Sequence, residues 1–424
     1  SPQEEYEEEI DWGIVGSTLP APPKRSLQTV GIPEPIRQHF RSLDIAALKQ
    51  MPPDDDRYQE IPSRFAAALP LDDPKSNRRA GGSFGYASAV YRVTDNSDSN
   101  LYALRRFDNV RTTPPIVQNA LSKWLPVRHP AIVSLYSIHA DKGCLFFTHA
   151  YHPAAETLKQ KFIDQRGAPL AEALLWRILT QLLAGVRAAH SHGVAIRAIG
   201  LTRILMVSGT KVRINSVGVP DVIEFESRRG LSDLQGDDIV KLGIVLLSLA
   251  ARTVVNPNLI NQAMAMVQTQ YSPSFHQILD VLLSGKYNKI AAVCSAVPTE
   301  RWCDELDLSL AASDGLHSHL RSEYECSRVL RLLLKLGMIN ERPEKTLAGA
   351  QDWSETGDRY ILKLFRDFLF HQTQLDGTVP SLDAGHIIAS LNKLDMSDPE
   401  KILLCSRNNK DLLVVSFADV HRYV

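Results

Sequence analysis

The sequence contains no Cys-x-x-Cys pair. Its five cysteines (Cys144, Cys294, Cys303, Cys326 and Cys405) are scattered and odd in number. That argues against a zinc site or a disulfide framework and favours a reducing compartment. Charge of one sign is lacking too: 47 Lys plus Arg face 48 Asp plus Glu, a net charge of −1. A global basic face for nucleic acid is therefore not indicated. The longest apolar runs, such as residues 239–251, are interrupted and too short to span a bilayer, and no signal peptide is legible ahead of the patterned region. The expectation is a soluble, cytoplasmic protein with no membrane partner and no metal.

What is present fits two or three domains: 424 residues, 44% hydrophobic and 22% charged. Residues 1–30 are acidic, then proline-bearing, and are expected to be a disordered linker. Residues 36–50 predict a helix that stops at Pro52 and Pro53. Residues 89–94 and 100–107 predict strands around a polar Asp95-Asn96-Ser97-Asp98 turn, and residues 132–139 and 144–149 predict another pair. The period then becomes helical, with Leu174, Leu175, Ile178, Leu182, Val186 and Ala189 on one face, and with further helices over 237–251 and 275–284. Strands first and helices later describe a two-lobed α+β domain. A long helical stretch follows from Pro298 to Leu336, with Leu306, Leu320 and Leu334 in one heptad column. Ser313 and Ser327 share that column and Gly315 interrupts it, so a coiled coil and an ordinary amphipathic helix fit about equally. The last ninety residues predict a compact tail: helices over 359–371 and 382–394, then a hairpin pairing 402–406 with 412–417.

Six segments, in order, match the landmarks of protein kinases. A Gly-rich loop G-x-G-x-x-G-x-V, anchored on Val90, places Ser83, Gly85 and Ser88 at its glycine positions, so one glycine survives. Tyr102-Ala-Leu-Arg-Arg106 puts Arg105 where the strand lysine belongs. His129-Pro-Ala-Ile-Val133 follows a segment, 114–123, without any carboxylate to pair with that position. The catalytic-loop sequence H-R-D-L-x-x-x-N becomes Ile196, Arg197, Ala198 and, at its Asn position, Arg203. Ser216-Val217-Gly218 replaces D-F-G. Asp238-Ile-Val-Lys-Leu-Gly243 matches the helix that braces the large lobe. Twenty residues separate Gly218 from Asp238 and no A-P-E lies between them, so the peptide-substrate platform is expected to be missing.

Phosphoryl transfer needs metal charge neutralisation, an oriented nucleophile and a base. Here the base is the methyl group of Ala198 and the metal carboxylate is the hydroxyl of Ser216. Loss of the base alone typically costs ~10²–10⁴-fold, so no kinase activity is expected. Arg105 and Arg203 instead place two permanent cations where a lysine and a metal ligand usually sit, and Arg can grip phosphate bidentately. The expectation is a cleft that binds a phosphate-bearing adenosine with little need for Mg²⁺. The alternative is that both arginines are structural surface charges.

Several stretches carry a resemblance to a family: Ser83-Phe-Gly-Tyr86, Tyr102–Arg106, Ala150–Thr157, Leu201-Thr-Arg-Ile-Leu205, and Leu332–Pro343 with its Lys335-Leu-Gly-Met-Ile-Asn-Glu-Arg-Pro343 ending. Over roughly residues 30–424 the chain resembles the regulatory, pseudokinase subunits of the poly(A)-nuclease deadenylation complex, which shortens mRNA tails. The resemblance implies the order disordered linker (1–30), pseudokinase (31–289), dimer-forming coiled coil (290–329) and C-terminal knob (330–424). It implies a non-catalytic homodimeric scaffold that recruits and stimulates the catalytic exonuclease subunit. It also implies ATP, or adenosines of poly(A) RNA, in the cleft. By position that site carries over to Arg105, to the hinge Ala150, Tyr151, His152, Pro153, Ala154, Ala155, Glu156 and Thr157, and to Thr202 and Arg203. Poly(A)-binding protein is implied as a partner through an N-terminal region; the family's N-terminal zinc finger and poly(A)-binding-protein motif do not appear in this sequence. Two other readings stay open. A residual kinase with atypical metal ligands would want an activation segment, and none is visible. A purely structural module would have an empty cleft, and calorimetry would show no ATP binding.

Overall fold

The computed structural model describes residues 31–72, 83–141, 143–165, 167–226, 229–341, 358–373, 380–381, 383–406 and 410–424. The linker over 1–30, the glycines Gly81 and Gly82, and the Glu-Arg-Pro ending beyond Glu341 lie outside them. By backbone contacts the chain forms two units, one mainly of residues 41–310 and one mainly of 311–424. Among the described residues no helix is long and apolar enough to cross a membrane.

The larger unit begins with a five-stranded antiparallel sheet in the order β1 (Phe65–Pro70), β2 (Ser88–Asp95), β3 (Leu101–Asp108), β5 (Cys144–Ala150), β4 (Leu135–Asp141). Alternation sorts its faces. Ala89, Tyr91, Val93, Leu104 and Phe146 pack on the outer side under Met51, Ile61 and Phe65. The same period turns Val90, Arg105 and Phe147, which are cross-strand partners, to the opposite side. Helix α1 (Pro114–Trp124) lies between β3 and β4 in sequence, with Pro at its first turn.

After the sheet come a short strand, β6 (Glu156–Thr157), and α2 (Glu172–Ser191). They are followed by the β7–β8 hairpin (Ile204–Ser208, Lys211–Ile214), α3 (Val219–Ile223) and α4 (Leu231–Ala250). One continuous core joins Leu175, Ile178, Leu182 and Val186 of α2 to Ile239, Leu242, Val245 and Leu246 of α4 and to Phe107 and Phe147 of the sheet. The strands-then-helices expectation thus matches the observed element order. Residues Ile290–Ala296 form a separate short helix whose Ile290 and Val293 join this core. The long helix, α5, starts only at Thr299 and runs unbroken to Asn340. Gly315 is buried within it and does not stop it.

In the smaller unit, α6 (Asp358–Phe370) and α7 (Ala384–Asp395) sandwich an apolar core with the β9–β10 hairpin (Lys401–Cys405, Leu412–Ser416) and α8 (Phe417–His421). Leu332 and Leu336 of α5, Phe365 and Leu369 of α6, Leu391 and Leu394 of α7, and Phe417 are its buried centre. The turn that joins the two strands, residues 407–409, lies outside the described residues.

Candidate functional site

The floor of the site is fixed by Asp238, which is fully buried in α4. Its carboxylate accepts hydrogen bonds from the backbone N–H of Ile196 and of Arg197, both at 2.7 Å, and lies 3.1 Å from His190 Nε2. Those contacts hold the 196–203 loop in place, as the match to the bracing helix implies. Gly243 on the same helix has no room for a side chain, since a Cβ would come within 2.9 Å of Leu282 and Leu283. Asp238→Ala leaves two buried amides unpaired and should cost about 3 kcal/mol. A thermal melt should show a fall of roughly 6–10 °C, whereas an unchanged midpoint would mean the loop is held by something else.

Arg197 adopts φ +58, a left-handed conformation. It sends its guanidinium to the Pro220 carbonyl at 3.1 Å and to Glu224 at 2.6 Å. It therefore clamps the segment that follows Ser216-Val217-Gly218. Between Gly218 and α4 the described chain holds only the five-residue α3, in agreement with the missing activation segment. Ala198 is fully buried, as is Ser216 at φ +62, so neither position offers a carboxylate for base or metal. Helix α1 is tied down differently from the ion pair of an active kinase. Trp124 Nε1 donates to Asp221 Oδ2 at 2.7 Å, and burial of Asp221 pushes its carboxyl up from its ordinary range.

Arg105 and Arg203 come together across the cleft. Burial pushes the Arg105 guanidinium down to about 10; the Asp72 charge opposes this and the Arg203 charge adds to it. Arg203 is also pushed down by burial, with Glu224 opposing. Among the described residues neither guanidinium makes a hydrogen bond or ion pair with a carboxylate. Asp72 is already engaged by the Val90 amide at 3.2 Å. Arg203 lies instead 3.7 Å over the ring of Phe84, and Phe84 meets Phe107 edge-on at 6.0 Å. Successive left-handed residues, Phe84 (φ 64) and Gly85 (φ 77), fold the loop tip down to make that contact. The surviving Gly85 thus serves a tight turn, with nothing within 4 Å of where its Cβ would be.

The hinge residues are placed unevenly. The Ala150 amide donates to the Ser134 carbonyl at 2.9 Å. Tyr151 is half-buried, and burial raises its phenol. His152 is pushed down to about 4 by burial, with Arg213 adding to the effect, and its Nε2 is buried without a partner. Pro153 and Ala155 are half-buried, while Ala154 is exposed at φ 54. Glu156 is exposed on β6 and pairs through its backbone with Met206, and both the amide and hydroxyl of Thr157 donate to Gln160 Oε1. Thr202 is exposed beside Arg203. Phe84 and His149 were not singled out by the sequence. Their signal, alternation on a cleft-facing strand and a loop tip one residue before the surviving glycine, becomes meaningful only once the register is known.

A kinase-like domain whose cleft holds paired arginines and no catalytic or metal carboxylate at the expected positions is a pseudokinase. The C-terminal part, residues 290–424, matches the family model described as the Pan3 C-terminal knob domain. Over 415 residues the chain is 34% identical to the pan3 subunit of the PAN2-PAN3 deadenylation complex of Dictyostelium discoideum, across 95% of this chain and 55% of that protein. The corresponding subunit of Coccidioides immitis is 32% identical, across 95% and 62%. The solved Drosophila melanogaster PAN3 pseudokinase is similar with a TM-score of 0.72 and 31% identity, over 85% of this chain and 96% of that one. A Neurospora crassa complex of PAN2 with the PAN3 pseudokinase and C-terminal region gives a TM-score of 0.77 at 29% identity, covering 92% and 98%. The chain belongs to the PAN3 family. It spans little more than half the length of the first of these curated relatives and about three fifths of the second.

Proposed function

We propose that this chain is a non-catalytic, homodimeric scaffold of a poly(A)-tail-shortening nuclease, and that its altered kinase cleft holds the phosphates of ATP or of a poly(A) adenosine. The observation that carries the reading is the pair Arg105 and Arg203, two charges that act on each other across the cleft and that form no ion pair among the described residues. Two partly dehydrated guanidiniums that repel each other are stabilised by an anion placed between them. The residues present fit such a ligand without a bridging metal, because Ser216 and Arg203 stand where metal ligands would be. The Ala150–Thr157 segment, whose backbone can meet a base edge, supplies the other end of the site.

Two further surfaces support the scaffold role. On α5 the exposed residues Leu306 and Leu310, Leu320 and Tyr324, and Leu334 and Met338 recur as pairs at a fixed spacing. That spacing is two heptads, the repeat of a coiled-coil seam. On the β9–β10 hairpin, Leu403 lies opposite Val414, and Cys405 opposite Leu412. Leu403, Leu412 and Val414 are 51%, 63% and 66% exposed, on the side away from the buried Ile402 and Leu404. Contiguous exposed apolar surface is where partners dock, and we read this strand face as such a surface. A solved complex from Neurospora crassa contains PAN2 together with PAN3 (pseudokinase and C-terminal region), so the occupant we propose for the patch is the catalytic nuclease subunit. Leu412→Asp with Val414→Asp should weaken that association by on the order of 10²-fold. A pull-down of the nuclease subunit by the full chain checks it, with circular dichroism to show the fold is kept. Undiminished capture by the double variant would place the nuclease elsewhere.

The test of the overall reading is calorimetric titration of the chain with ATP and with a short adenosine oligonucleotide, with and without a chelator. Binding that survives chelation supports the arginine site, and binding only with added Mg²⁺ would sink it.

A further inference from the structure

His149 ends the run of β5 residues just before the hinge. It sits opposite Ala103 in the register, one step along from the Arg105–Phe147 pair on the same face of the sheet. Its side chain is almost fully buried, at 2% exposure. The ring stacks at 19° on Phe147 with centroids 6.4 Å apart, and Nε2 lies 3.1 Å from the carbonyl oxygen of Val217. A carbonyl can only accept, so Nε2 carries the proton and donates. Burial, aided by the Arg105 charge and opposed by that hydrogen bond, holds the ring near pKa 4. At neutral pH the imidazole is therefore uncharged and Nδ1 bears a lone pair: one fixed acceptor and no second donor. Among the described residues Nδ1 has no hydrogen-bond partner.

We infer that His149 selects adenine over guanine, Nδ1 accepting from the exocyclic amino group of a base whose edge lies along the Ala150–Thr157 segment. Guanine carries a carbonyl oxygen at the same ring position, so the two acceptors would face each other and both remain unpaired. Polar mismatch of this kind discriminates more strongly than shape does. The inference rests on the nucleotide reading of the cleft and deepens it from a phosphate site to an adenine site.

The experiment is titration of the full chain with ATP and with GTP in chelator, for wild type, His149→Phe and His149→Gln. The expected result is a wild-type preference for ATP of at least about tenfold. That preference collapses in His149→Phe because ATP weakens while GTP does not, and it is largely kept in His149→Gln, whose amide retains an acceptor. If His149 only anchors Val217, His149→Phe weakens both nucleotides alike or lowers the melting temperature without changing their ratio, and the inference is overturned. An unchanged ATP preference in His149→Phe overturns it too. Should His149→Phe fail to fold, His149→Gln decides, since loss of preference in a folded Gln variant counts against an acceptor role. Wild-type protein that binds neither nucleotide would reject the nucleotide reading itself, a result distinct from binding without discrimination.

Discussion

Replacing Leu320 and Tyr324 together by Asp should convert the proposed dimer of this chain into a monomer. Both residues stand about 60% exposed on the 42-residue helix α5. Each apolar side chain returned to water forfeits roughly 1.5–3 kcal/mol of burial. A symmetric interface counts each change twice, so the dimer should weaken by on the order of 10⁴-fold or more. Sedimentation or light scattering at micromolar concentration would read this directly as a halved mass. Leu332 and Leu336, on the same helix but buried in the knob core, make the control. Changing them should lower the melting temperature instead of separating the copies. A double Asp variant that keeps the dimer mass would show that the exposed stripe meets something other than a second copy.

Arg105→Ala with Arg203→Ala should abolish measurable ATP binding. A charge-assisted hydrogen bond contributes about 1.5–3 kcal/mol, so removal of both cations predicts a loss of roughly 10²–10⁴-fold by titration in chelator. The fold should tolerate the change. Neither guanidinium has an ion-pair partner among the described residues to leave stranded, and relief of their mutual repulsion favours the empty state. Arg203→Ala alone also frees the Phe84 ring, so the single variants separate phosphate contact from loop closure. If Arg203→Ala and Arg203→Lys bind ATP equally well, the residue shapes the loop and does not hold the ligand. The full chain assembled with the nuclease subunit proposed as its partner would then separate recruitment from cleft function. Intact assembly with slower tail removal in the Arg105/Arg203 double variant assigns the cleft to the tail, and unchanged removal assigns it to another role.

The kinase-like order was legible because it rests on local chemistry. The Tyr102–Arg106 strand, the 190–203 loop and Asp238 each carry their signature in a few adjacent residues, and the losses at Ala198 and Ser216 can be read as lost functional groups wherever those residues sit. Apolar spacing likewise announced α2 and the terminal hairpin. The long helix was less legible. Its heptad column contains Ser313 and Ser327, and the complementary column of Leu310, Tyr324 and Met338 gains meaning only when their exposure is known. Residues 290–297, which the family resemblance alone groups with that helix, hold a separate short helix, Ile290–Ala296, that gives Ile290 and Val293 to the kinase-like core.

By itself, then, the sequence determined that this chain has a kinase-like order without the carboxylates of phosphoryl transfer, because an absent functional group needs no coordinates to be absent. Only the tertiary structure decided what the surviving groups do. It brought Arg105 from a strand and Arg203 from a loop some hundred residues later to one cleft, laid Phe84 over Arg203, and fixed the proton of His149 on the nitrogen that faces Val217. Charge, burial and tautomer depend on distances between residues remote in sequence, and folding alone sets those.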